Sequence, residues 1–188
     1  MIRRLLTRPA AWVAILLIGI AGGVGLYWFQ PWRLFTDTTV VEQLSSASAS
    51  APVAGTPSAT ASGPASATAA PTGPTIVGQG SFVTHEHSTT GAARLVRNAD
   101  GSHQLELVGL DTSDGPDLRV WLTDQQVRTG PAAWQVFDDG RYVELGRLKG
   151  NRGDQVYPVP DDVEVGDYRS VSVWCKRFSV SFGAAALR

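Results

Sequence analysis

Residues Ala10 to Phe29, AAWVAILLIGIAGGVGLYWF, run without a single charge. As a helix, about 20 residues cross the ~30 Å hydrocarbon core of a bilayer, so the run predicts one transmembrane helix over 10–29. Soluble structure is confined to the residues beyond Phe29. Arg3, Arg4 and Arg8 precede the run and only Arg33 comes closely after it. That asymmetry holds residues 1–9 in the cytoplasm as an N-terminal tail and sends the C-terminal part outside, giving a single-pass protein of the cell membrane with an extracytoplasmic domain. Tyr27, Trp28 and Trp32 mark the outer interface. A cleaved export signal also starts with arginines, but its cleavage site needs small residues at the exit, and here the exit is LYWFQPW. The run therefore reads as a signal anchor that is retained. Gly19 and Gly23 have the GxxxG spacing of a helix-packing pair, although glycine is common in spans anyway.

Composition divides the remainder. Residues 30–75 read as a disordered tether rich in Ala, Ser, Thr and Pro. From Ser45 to Pro74 the chain, SSASASAPVAGTPSATASGPASATAAPTGP, has no charge and no large apolar side chain except Val53. Such a segment cannot bury enough surface to offset the entropy of ordering it. From residue 76 to 188 the texture changes to short alternations of period two. His103, Leu105 and Leu107 alternate with Gln104, Glu106 and Val108, and Leu118, Val120 and Leu122 with Arg119 and Trp121. Turn signals fall between them: NADG, DTSDGP, FDDG, KGNRGD and PVPDD. The pattern predicts an all-β fold, an antiparallel β-sandwich or barrel-like domain of roughly eight or nine strands. In SVSVWCKRFSVSF, Val171, Val173 and Cys175 share one parity and Phe178, Val180 and Phe182 the other. The phase slips at Lys176 and Arg177, where a bulge or sharp bend would return both sets to the core.

The formal net charge is −1, with no basic stripe to neutralise phosphates, so nucleic acid is excluded as a partner. No P-loop, GxSxG, HExxH or dinucleotide fingerprint occurs, and conventional hydrolytic or nucleotide-dependent catalysis has no support. Cys175 is the only cysteine. By parity it faces inward, where a free cysteine serves as a small apolar side chain. Outside the cytoplasm, however, a lone cysteine cannot form an intramolecular disulfide. It stays free, pairs between chains or binds something, and Lys176 and Arg177 beside it would favour a thiolate if a bulge brings Arg177 to its side. His85 and His87 lie two residues apart, which on a strand places both on one face about 7 Å apart, within reach of a shared metal. Two solvent-facing histidines at an edge fit the same pattern. Cysteine with two histidines is a copper ligand set, but the usual axial methionine is missing, since Met1 is the only one. Asp114, Asp117, Arg119, Asp154 and Tyr157 sit around turns, where Asp serves the backbone.

The motifs GQGSFVTHEHSTTGAARL, GPDLRVWL, YVELGRLKGNRGDQVYPVP and YRSVSVWCKRFSVSFGAAAL succeed one another from Gly78 to Leu187 in the order of the electron-transfer DM-thirteen domain, which this region resembles. The resemblance implies a β-rich extracytoplasmic module found beside DOMON and cytochrome b-type membrane domains. Its cysteine, here Cys175, acts in electron transfer as a bare thiol or as a ligand to a group such as haem. His87 and Asp117 fall on other recurrent polar positions of that family. No DOMON or cytochrome domain is fused to this chain, so the expected redox partner, a membrane cytochrome or another redox protein, is a separate molecule. Two functions are open to such a chain. One is a membrane-tethered redox module centred on Cys175, with haem or no prosthetic group at all, rather than a conventional enzyme. The other is a non-catalytic β-sandwich that binds an envelope component, with Cys175 merely packed.

Overall fold

A computed structural model describes residues 9–49 and 73–188. The N-terminal tail before residue 9, with Arg3, Arg4 and Arg8, and the central part of the tether, residues 50–72, lie outside the described residues. Helix α1, Pro9–Phe29, is apolar on every side, and Leu16, Leu17, Ile18 and Ile20 all stand exposed. With a mean hydropathy of 1.9 over Trp12–Arg33, it is long and apolar enough to cross a membrane. It stops because Gln30 takes a left-handed conformation (φ 44°) and Pro31 comes next, while the Gln30 N–H donates back to the Leu26 carbonyl at 2.9 Å.

The rest is a curled, mostly antiparallel sheet, the half-barrel that the alternation and turn signals predict. Its strands are β1 (Thr39–Val41), β2 (Ser48–Ala49), β3 (Thr75–Thr84), β4 (Thr90–Arg97), β5 (His103–Asp111), β6 (Leu118–Thr123), β7 (Tyr142–Arg147), β8 (Arg152–Val159), β9 (Ser170–Cys175) and β10 (Val180–Ala186). They lie in the order β1-β8-β5-β4-β3-β10-β9-β6-β7, with β2 added beside β3. Curling brings β7 back towards β8 at the far side, where the Lys149 N–H donates to Tyr157 Oη at 3.1 Å. Inward parity fills the concave side with Leu105, Leu107, Leu118, Val120, Leu122, Val171, Val173, Cys175 and Phe182. Each fully buried aliphatic side chain of this kind contributes roughly 1.5–3 kcal/mol.

Two features stand apart from simple alternation. The phase slip at Lys176 and Arg177 is the sharp bend rather than the bulge, a hairpin turn: β9 ends at Cys175, β10 begins at Val180, and Cys175 and Val180 are partners. Ser179 takes a left-handed φ of 49° to close the turn. Val180 and Phe182 do return to the core, but Phe178 is left partly exposed at the turn. The second difference lies in the tether. Within its first described part, residues 37–49 lie along the domain, with β1 parallel to β8 and β2 parallel to β3. Low complexity did not prevent this, because the domain supplies the partners. Val156 N–H and Lys149 Nζ both donate to Glu42, at 2.6 and 2.8 Å. Glu106, on the outer parity of β5 yet fully buried, accepts from the Ser45 N–H at 2.7 Å and pairs with Arg94 at 2.6 Å. Gly153 (φ 93°) permits the approach, since a Cβ there would strike the Val40 carbonyl.

Candidate functional site

Cys175 ends β9, paired with Leu118 of β6 on one side and Val180 of β10 on the other. Its exposure is 0%. Burial pushes the thiol up from its ordinary pKa, and the charge of Glu86 adds to this; the backbone amides of Phe178, Arg177 and Asp117, turned towards the sulfur, act in the opposite sense. Burial prevails, so Sγ is a protonated thiol at neutral pH rather than a thiolate. Those amides are there because the chain turns twice at this point. The 176–179 turn folds over the end of β9, and Asp117 enters β6 beside it, its carbonyl accepting the Lys176 N–H at 3.0 Å.

The two basic neighbours do not sit on the sulfur. Lys176 Nζ reaches Glu144 at 3.2 Å on the outer side. Arg177 turns to helix α1, donating from Nη1 to the carbonyls of Tyr27 at 3.2 Å and Trp28 at 2.6 Å, with its guanidinium 5.4 Å from the centre of the Trp28 ring. Those carbonyls are the unpaired ones at a helix C-terminus, where a cation is favoured. Phe178 stacks on Phe29 at 5.7 Å, and Arg33 binds Asp114 and the Gly115 carbonyl. The turn that covers Cys175 is therefore seated on the exit of the apolar helix.

The histidines are separated by their surroundings. β3 ends at Thr84, so the strand spacing that would align His85 and His87 does not apply to them. His85 is buried, with Nε2 3.1 Å from the Arg128 carbonyl and Nδ1 2.8 Å from Ser181 Oγ. A carbonyl only accepts, so Nε2 carries the proton and Nδ1 accepts from Ser181, whose oxygen accepts in turn from Ser172 at 2.9 Å. Burial lowers the His85 pKa, in keeping with this neutral tautomer. Both nitrogens are engaged in hydrogen bonds within the domain. His87 packs its ring 3.9 Å from that of Phe182 and lines a cleft of about 300 Å³ with Phe29, Pro31, Glu86 and Phe178; burial lowers its pKa as well. Among the described residues no three His, Cys, Asp or Glu side chains converge as a metal site. Asp117 meets the cysteine through its backbone. Its carboxylate holds Arg119 at 2.8 Å and Arg147 at 3.5 Å.

A model of the family described as Electron transfer DM13 matches residues 81–187, more than half of the chain. The chain belongs to the DM13 family. No curated protein and no solved structure matches it. The DM13 match begins inside β3 and ends after β10, so it contains Cys175, His85, His87 and Asp117 and leaves helix α1 and strands β1 and β2 outside. It marks the chain as an electron-transfer-related module.

Haem, one of the two forms the resemblance implies, does not fit the cysteine of this DM13 domain. A planar macrocycle needs the ligating sulfur in the wall of a cavity, whereas Cys175 is sealed among Val173, Val180 and Leu118. The cleft beside it is bounded by Phe178 and Phe182, not by the sulfur. Sequence reasoning missed Trp121 and Trp174, which stack on the outer face of the sheet at 4.9 Å. The signal was present: large aromatic rings on the parity opposite to the core residues mean that this face is covered too. Here the cover is the 124–141 loop, which lays Phe137 against Trp174.

Proposed function

We propose that this DM13 chain is a membrane-tethered electron-transfer module in which Cys175 is the group that exchanges the electron. The observation that carries the reading is the placement of the only cysteine: inside the matched region, wholly buried, faced by three backbone amides, and covered by a turn seated on the apolar helix. A buried thiol cannot present itself to the sulfur of a bulky disulfide partner, and thiol–disulfide exchange needs that access. An electron needs only proximity. On oxidation Sγ gives one electron to a one-electron acceptor protein and its proton to water; on reduction both return. A membrane cytochrome or another redox protein of the same membrane suits the acceptor role. Helix α1 serves as the anchor, with Arg3, Arg4 and Arg8 on the cytoplasmic side and the DM13 domain outside.

One observation favours the other reading, a binding module with a structural cysteine: Cys175 lies as deep as Val173 and Leu122. The two separate by protein-film voltammetry of the full chain in nanodiscs. Electron transfer predicts a reversible wave in the wild type that Cys175→Ala loses while remaining folded. A wave unchanged in the variant, or none in the folded wild type, supports the packed cysteine. Orientation is checked with protease-cleavable tags at the two ends of the full chain in intact cells, where only the C-terminal tag should be cut.

A further inference from the structure

A sealed sulfur needs a way out for its electron, and the outer face of the same strands holds one. Tyr142 is 44% exposed and lays its ring 3.9 Å from that of Trp121, at an interplanar angle of only 8°. Trp121, 3% exposed, stacks on Trp174 at 4.9 Å and 23°. Trp174, 1% exposed, is the residue next to Cys175 on β9. Beyond it comes Phe137, edge-on at 71° and far harder to oxidise, so the series of oxidisable rings ends at the cysteine's neighbour. Tyrosine and tryptophan are the side chains most readily oxidised by one electron without a metal, and nearly parallel rings in contact give the overlap that electron hopping requires.

The middle ring has a feature that burial alone does not call for. The Trp121 Nε1–H points at Glu144 Oε2, 3.4 Å away. Glu144 is held in place by Arg119 at 2.6 Å and Lys176 at 3.2 Å, and these cations keep its carboxyl ionised. A fixed carboxylate at the indole N–H stabilises the positive charge that appears when that indole loses an electron.

We propose that Tyr142, Trp121 and Trp174 form the electron route between the surface of the module and strand β9, with Tyr142 marking where a redox partner docks. The proposal rests on the electron-transfer reading of Cys175 and specifies its outlet. In each hop one electron moves outward, from Trp174 to Trp121 and from the Trp121–Tyr142 pair to a one-electron oxidant at the surface, which is reduced by one electron. The indole hops break no covalent bond and the positive charge left behind moves inward to Trp174; where Tyr142 itself carries the hole, its phenolic proton passes to the surrounding water and returns when Tyr142 is reduced.

The test is flash-quench photo-oxidation of the full chain in nanodiscs, with a diffusing ruthenium polypyridyl complex as oxidant. Tryptophans 12, 28, 32 and 134 are replaced by Phe in the parent, and radicals are read by transient absorption and electron paramagnetic resonance. The parent should form an indole radical on Trp174, identified by its loss in Trp174→Phe. Trp121→Phe keeps an aromatic ring in the stack but removes the easily oxidised one, and should abolish the Trp174 radical in a chain that melts cooperatively. Tyr142→Phe, at an exposed position, should slow its formation and covers the case in which Trp121→Phe does not fold. A Trp174 radical formed as fast and as fully in both variants as in the parent overturns the route. Cys175→Ala separates the two claims: the route predicts that the radical still forms there, and the cysteine reading predicts that it then outlives the one in the parent.

Discussion

Trp174 and Cys175 are consecutive residues on opposite faces of one strand, and the two faces are built on different principles. On the inner face, Val171, Val173 and Cys175 meet Leu118, Val120, Leu122 and Phe182 in a layer where the thiol is the one polarisable polar group on β9. On the outer face the same strands present Ser172, Trp174, Ser181, Trp121 and Glu144, with His85 and Phe137 packed over them, in an aromatic layer threaded with hydrogen bonds that reaches solvent at Tyr142. The difference separates storage from access. The inner face shields the sulfur from reagents and holds it protonated, while the outer face offers stacked rings and titratable groups.

Removing the largest ring from the outer layer should do the most damage. Trp174→Ala leaves a hole between Trp121, Phe137 and Ala184 and should cost roughly 3–5 kcal/mol in urea denaturation of the full chain in detergent. A smaller loss would mean that the 124–141 loop collapses into the gap and that the layer is soft. On the inner face Cys175→Ala should cost about 1 kcal/mol. Cys175→Ser should cost roughly 1–3 kcal/mol unless the three amides that face Sγ satisfy its oxygen, so a serine variant as stable as the alanine one would sharpen the account of those amides.

The faces should also answer pH differently. His85 is neutral when folded with a lowered pKa, so the unfolded chain binds the extra proton: the stability contributed is complete above 6.5, the ordinary histidine value, and is lost as pH falls below it. His87 acts in the same direction. The decline between neutral pH and pH 5 should shrink in His85→Gln, read from thermal melts. Cys175 has the opposite dependence. Its raised pKa means that the unfolded thiol ionises first, so its contribution is present below the ordinary value of 9.0 and fades above it. Tyr157, pushed up to about 12, behaves likewise at still higher pH. The smallest effect belongs to Lys176→Ala. Its amine is half exposed and engaged with Glu144, so the cost should stay within about 0.5 kcal/mol and thiol reactivity should not change.

The inner face was the more legible of the two in the sequence. Period-two alternation located the core residues of β5, β6 and β9, and the turn signals gave the strand number and the all-β class. The hairpin after Cys175 looked like a slip of phase because its turn, Lys176 to Ser179, contains neither glycine nor proline; Ser179 adopts the left-handed conformation itself. The ordering of residues 37–49 was hidden because their composition is that of a linker, and only the carboxylates of Glu42 and Glu106 and the open backbone at Gly153 show where they dock. The spacing of His85 and His87 suggested a pair, but β3 ends at Thr84, before either of them. Lys176 and Arg177 looked like activators of the thiol because sequence adjacency says nothing of direction, and each turns away to a longer-range partner.

The central claim, that Cys175 is reached by electrons and not by reagents, is tested most directly by two parallel rate measurements on the native full chain in nanodiscs. One tracks electron exchange with an outer-sphere one-electron oxidant too weak to accumulate a tyrosine or tryptophan radical, and the other tracks labelling by a maleimide. The account predicts electron exchange that disappears in Cys175→Ala, together with no labelling until the domain is unfolded. Rapid labelling of the folded chain, or electron exchange indifferent to Cys175, would contradict it.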